Sequence, residues 1–175
     1  IPYMLRRFSR GTIILVDSDF PSLIRPWYGA KKNGKDYQIK FAKDDRNLSL
    51  TEEIIKLVDS KTAAVVVSHV QFSTGTRIDI KLVKKAVEQV GALFILDITQ
   101  SAGVLSFNDQ AFAADALVSS GYKWLGGHGG IAFAVLSENF LEVDPLATGW
   151  MSHPEPFSMD TENLNFSLSA SKYTQ

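Results

Sequence analysis

Cysteine is absent from the 175 residues. Its absence excludes a disulfide scaffold, a thiolate metal site and a cysteine nucleophile within this stretch. No apolar run is long enough to cross a bilayer. No basic segment followed by an apolar one reads as a secretory leader, so a cytoplasmic location without membrane contact is expected. An excess of positive charge is also missing. Lys and Arg total 18 against 19 Asp and Glu, a net charge of −1, which argues against a nucleic-acid partner. Internal repeats and low-complexity tracts are lacking too. What is present, 45% hydrophobic and 21% charged residues, is the composition of one globular unit with a sizeable core.

Strands and helices alternate along the chain. Thr12 to Val16 reads as a buried β-branched strand, followed by turn residues Asp17, Ser18 and Asp19. Pro21 to Ala30 reads as a helix with Pro21 in its first turn. Tyr37 to Phe41 is a strand after the Asn33-Gly34 turn. Ser49 and Glu52 stand at capping-box spacing before a helix carrying Ile54, Ile55, Leu57 and Val58. Ala63 to Val67 is apolar throughout, as strands in a helix-covered parallel sheet are. Asp79 caps a helix to Val90 whose stripe is Ile80, Val83, Ala86, Val87 and Val90, stopped by Gly91. Leu93 to Leu96, Asp115 to Ser119 and Ile131 to Leu136 complete the strands. The pattern predicts an α/β fold with a mostly parallel central sheet and helices on both faces.

Ligands in such sheets bind beyond the carboxyl ends of the strands. Polar residues gather at those ends: Asp17 to Phe20, Ser68 to Gly75, Asp97 to Gln100 and Ser120 to Trp124. Each has an ordinary reading alone. A strand-end Asp is often a helix cap, a loop Lys is usually solvated, paired glycines bend the chain, and His128 reads as an exposed loop residue. A phosphate loop at Gly126–Gly130 is disfavoured, because a strand follows rather than a helix N-terminus. Asp97 and Lys123, each after an apolar strand and one strand–helix–strand step apart, form a less ordinary pair.

LDITQSAG (Leu96–Gly103) and SSGYKWLGGHGGIAF (Ser119–Phe133) resemble the class V aminotransferase family of pyridoxal 5'-phosphate (PLP) enzymes. That family includes cysteine desulfurases, selenocysteine lyases and kynureninases. SHVQFSTGT (Ser68–Thr76), DFPSLIRPW (Asp19–Trp27) and TGWMSH (Thr148–His153) match in the same order. The resemblance implies the large domain of an aspartate aminotransferase-like PLP fold, with residues 1–175 its core. The chain opens on Ile1 and stops at Gln175 after a polar stretch. The resemblance places a phosphate-binding segment before it and a small domain after it, so the isolated piece is expected to be inactive.

The resemblance further implies a role for each site residue. Lys123 would form a Schiff base with the PLP aldehyde and then move protons at the substrate's α-carbon. Its amine must be uncharged to attack, which burial and nearby positive charge favour. Asp97 would pair with the pyridine nitrogen, and Gln100 would hydrogen-bond the phenolic oxygen. Ser120 and Tyr122 would contact phosphate, and Phe20 would stack on the ring. Trp150 and His153 fall in a segment that reaches towards the substrate site in kynureninase-like members. Phe20, Tyr122 and GWMSH lean towards those members, whereas Gln100 leans towards desulfurases. The implied activity is that of a transferase or lyase on an amino acid, in a homodimer; Trp124, Trp150 and Phe157 are candidate interface anchors. A degenerate PLP fold retained as a binding or scaffold protein is the alternative, against which the intact Lys123, Asp97 and Gln100 speak.

Overall fold

The computed structural model describes residues 10–45, 47–107, 114–141, 144–145 and 147–174. Its strands are β1 (Arg10–Val16), β2 (Asp36–Ala42), β3 (Thr62–Ser68), β4 (Leu93–Asp97), β5 (Ala116–Ser120) and β6 (Ala132–Leu136). Its helices are α1 (Pro21–Lys32), α2 (Leu50–Leu57), α3 (Ile80–Gln89) and the single turn α4 (Glu138–Leu141). Three short 3-10 turns follow, at Trp150–Ser152, Pro156–Ser158 and Ala170–Tyr173.

Local chemistry explains the helix ends. The Ser49 hydroxyl accepts from the Glu52 N–H at the start of α2, with Glu52 and Glu53 placing negative charge in the first turn. The Asp79 carboxylate accepts from the Leu82 N–H at 3.0 Å and starts α3. Helix α1 has no side-chain cap; Pro21 begins it where no N–H is needed. Pro26 lies inside α1, so the bond its missing N–H would make to the preceding turn is given up.

The sheet order is β2-β1-β3-β4-β5-β6, parallel except for the antiparallel β5–β6 pair. Alternate strand residues feed two cores. On one face Ile14, Val16, Val65, Val67, Phe94 and Leu96 pack with Leu50 and Ile54 of α2 and Val83 and Val87 of α3. On the other, Ile13, Leu15, Val66 and Ile95 pack with Leu23 and Trp27 of α1 and Phe140 of α4. The Tyr37 hydroxyl donates to the Trp27 carbonyl at 2.5 Å and anchors α1 to β2. The expected α/β class with helices on both faces is therefore the fold found.

Two features were not in the sequence pattern. β6 runs antiparallel at the sheet edge, and Ala132, Phe133, Ala134 and Val135 are exposed on both of its faces. Chain order reverses between β1 and β3, because β1 runs first to β2 on one side and the chain then returns to β3 on the other. Such a reversal opens a crevice at the carboxyl ends of the two strands. Among the described residues no helix is long and apolar enough to cross a membrane.

Candidate functional site

The carboxyl ends of β1, β3, β4 and β5 carry a connected polar layer. Asp19, just past β1, is buried. Its carboxylate accepts from the Ser68 N–H at 2.8 Å, the Ser68 hydroxyl at 2.6 Å, the Phe20 N–H at 2.8 Å and the Gln71 amide at 3.4 Å. Phe20 is thereby fixed at the start of α1, half exposed, edge-on to Phe72 with ring centroids 5.3 Å apart.

Asp97 closes β4, paired with Ser68 on one side and Val118 on the other. One of its oxygens accepts from the Thr99 N–H at 2.7 Å. Burial pushes the Asp97 carboxyl above the ordinary carboxylate range; bonds from Thr99 pull it part of the way back, and the negative charge of Asp19 adds to the rise. Among the described residues no cation forms a salt bridge with Asp97.

The loop after β4 is joined to the end of β5 and to the loop that follows it at three points. The Thr99 hydroxyl accepts from the Ser120 N–H at 3.1 Å. The Gln100 side-chain oxygen accepts from the Trp124 indole at 3.3 Å. Gly103, at φ +91°, lies so near the Trp124 carbonyl that a Cβ there would stand 2.7 Å from its oxygen. Lys123 therefore sits in a turn braced by the loop that carries Asp97. The turn starts a long β5–β6 connection: the Gly121 N–H donates to the Ile131 carbonyl at 2.8 Å, and Gly126–Gly130 reverse the chain. His128 is exposed on that reversal.

All six expected site residues, Phe20, Asp97, Gln100, Ser120, Tyr122 and Lys123, lie at this one edge. Lys123 departs from expectation in its surroundings. It is exposed, with its ammonium 5.3 Å from the centroid of the adjacent, half-exposed Tyr122 ring. Within the described residues nothing supplies the burial expected of it, because its turn stands outside the two cores. A cavity of about 660 Å³ is lined by Asp97, Thr99, Ser120, Phe133 and Tyr173, among others. Phe20, Gln100, Tyr122 and Lys123 stand outside it, on the open edge. Trp150 pairs edge-on with Phe157 at 5.5 Å, and both are exposed, as is Trp124.

Sequence reasoning missed four contributors. Asp19 reads as a turn acid, yet it is the acceptor hub of the crevice. Thr99 has no role assigned from sequence, yet it contacts both Asp97 and Ser120. His69 and Ser101 are buried and hydrogen-bonded to each other across 32 positions; no local pattern announces such a pair.

Known proteins resemble this chain in sequence and in fold. The family model "Aminotransferase class-V" matches residues 3–153. A kynureninase from Deinococcus radiodurans is 29% identical over 156 residues, which are 87% of this chain and 36% of that protein. A kynureninase from Burkholderia mallei is 30% identical over 154 residues, 86% of this chain and 35% of that protein. The chain thus spans about a third of the curated relatives it matches. Among solved structures, the apo cysteine desulfurase of Thermococcus onnurineus superposes with a TM-score of 0.78 at 23% identity, covering 98% of this chain and 44% of that one. A cystine C–S lyase solved with cysteine persulfide gives 0.82 at 18% identity, covering 95% and 45%. These structural likenesses show the fold, and the family match extends over most of the sequence: the chain belongs to the class V aminotransferase family.

Proposed function

We propose that this chain is the cofactor-holding core, within the large domain, of a PLP-dependent transferase or lyase acting on an amino acid. The observation that carries the reading is Asp97: a half-buried carboxylate whose pKa burial raises, paired with no cation among the described residues, set at the same sheet edge as Lys123 and the half-exposed ring of Phe20. An anion partly withdrawn from water in this way gains from meeting a cation. The protonated nitrogen of a pyridine ring is a cation of the right shape for a site with an aromatic side. The residues present therefore fit the cofactor.

When bound, PLP supplies an electrophilic aldehyde and an electron-accepting ring. The remaining chemistry belongs to the chain. Asp97 would accept a hydrogen bond from the ring nitrogen and hold its proton there, with Thr99 fixing the carboxylate. The Gln100 amide would donate to the phenolic oxygen. Phe20 would cover one ring face, held by Asp19 through its own backbone. The Ser120 and Tyr122 hydroxyls would donate to phosphate without adding charge. Lys123 would hold the aldehyde covalently and, once freed by substrate, move a proton at the substrate's α-carbon. A cytoplasmic homodimer is the assembly we propose for the whole protein.

The similarity to kynureninases in sequence favours C–C cleavage of an aromatic amino acid over desulfuration. A substrate panel on the full-length protein tests this: kynurenine, cysteine, selenocysteine, and an amino donor with a keto acid. Anthranilate from kynurenine is the expected result. Sulfide from cysteine with no turnover of kynurenine overturns that substrate assignment, and no turnover of any substrate by PLP-saturated protein overturns the enzymatic reading.

A further inference from the structure

We propose that His69 and Ser101 are positioning residues of this site: their hydrogen bond locks the turn from Asp97 to Ser101 and so aims the Asp97 carboxylate and the Gln100 amide. The inference rests on the reading of those two groups as ring-binding. His69 and Ser101 are almost completely buried, at 2% and 0% exposure. The His69 N–H donates to the Asp97 carbonyl at 2.8 Å, so the same residue grips the turn at its first residue through its backbone and at its last through its ring.

The direction of each bond is determined. Arg77 Nε can only donate, and it meets His69 Nε2 at 3.1 Å. Nε2 must then carry the lone pair, and the ring proton sits on Nδ1. Nδ1–H donates to Ser101 Oγ at 3.0 Å, and that hydroxyl donates in turn to the Ile98 carbonyl at 3.2 Å. The relay from Arg77 through His69 and Ser101 ends on the residue next to Asp97. Burial, with the Arg77 charge second, lowers the His69 pKa to about 4, so the neutral ring persists through ordinary pH. The Phe107 ring packs 5.7 Å from the imidazole. Arg77 is the charged group in contact with the imidazole among the described residues.

Three variants of the full-length protein test the role. Asn places its amide nitrogen where Nδ1 lies, so His69→Asn keeps the donor to Ser101. Gln reaches only the Nε2 position, so His69→Gln loses it, as Ser101→Ala loses the acceptor. The expected result is PLP affinity, read by absorbance titration, reduced about tenfold in His69→Gln and Ser101→Ala. His69→Asn is expected to stay within about twofold of the parent. Cofactor-free protein gives the second readout: amide hydrogen exchange should quicken at Ile98 to Ala102 in Ser101→Ala and His69→Gln and stay slow in the rest of β4. Equal PLP affinity in all three variants, with only a lower melting temperature, overturns the proposal, as does His69→Asn behaving like His69→Gln. Should the parent itself fail to bind PLP, the cofactor reading falls and the exchange pattern alone decides whether the turn is locked as described.

Discussion

Asp19 takes two hydrogen bonds from Ser68, 2.8 Å from the backbone N–H and 2.6 Å from the hydroxyl, and so ties the end of β1 to the end of β3 where chain order reverses. The same carboxylate holds the Phe20 N–H. Asp19→Ala would leave buried donors on Ser68 without an acceptor. Bonds to charged groups and stranded donors each cost about 1.5–3 kcal/mol, so a loss of about 2–4 kcal/mol is expected. Urea denaturation reads it, and an unchanged midpoint would show that water replaces the carboxylate.

Asp97 should trade stability for binding. Its carboxyl pKa is raised in the folded chain, chiefly by burial. The folded state therefore holds the proton more tightly than the unfolded chain, and ionising this group at neutral pH costs stability. Asp97→Asn should raise the melting temperature of the cofactor-free protein and weaken PLP retention by about tenfold or more. A variant that is both less stable and equally able to retain PLP would refute this.

His69 gives an acid limb of its own. The ring is neutral when folded down to about pH 4, against an ordinary value of 6.5. The unfolded chain takes up the proton first, so stability falls as pH drops from 6.5 towards about 4 and levels off below it. Over that interval the loss amounts to about 3 kcal/mol. His69→Asn should abolish this slope. Asp97 acts with the opposite sign in acid, so the comparison is cleanest in an Asp97→Asn background. Chemical denaturation at stepped pH measures it.

Gly103 should tolerate no side chain. At φ +91°, with a Cβ 2.7 Å from the Trp124 carbonyl oxygen, alanine must push the lysine-bearing turn away. The backbone conformation alone costs about 1–2 kcal/mol for a non-glycine residue. Gly103→Ala should lower both the melting temperature and PLP affinity. Loss of stability with unaltered affinity would show that the turn moves without consequence for Lys123.

Much of this architecture was legible because parallel strands buried on both faces read as continuous apolar runs; β3 and β4 lie within a residue of where those runs end. Asp79 and Ser49 marked helix starts because a cap is a local bond. Asp97, Ser120 and Lys123 were singled out because they follow apolar runs, and the structure puts the first two at the ends of β4 and β5 and Lys123 just past β5. β6 was read as a strand, but its antiparallel direction and edge position were not legible, since an apolar strand exposed at an edge carries the same pattern as one at the sheet's centre. Asp19, Thr99 and the His69–Ser101 pair were hidden for another reason. Their partners lie 21 to 49 positions away, so only the assembled sheet brings them together.

Lys123 as the residue that binds the cofactor is best tested by borohydride reduction of the full-length protein incubated with PLP, followed by peptide mapping. A pyridoxyl group on Lys123, absent in Lys123→Ala, is the expected result. A folded protein that gives no adduct at Lys123, or gives it equally on surface lysines such as Lys81 and Lys85, would contradict the assignment and favour a class V fold kept as a scaffold.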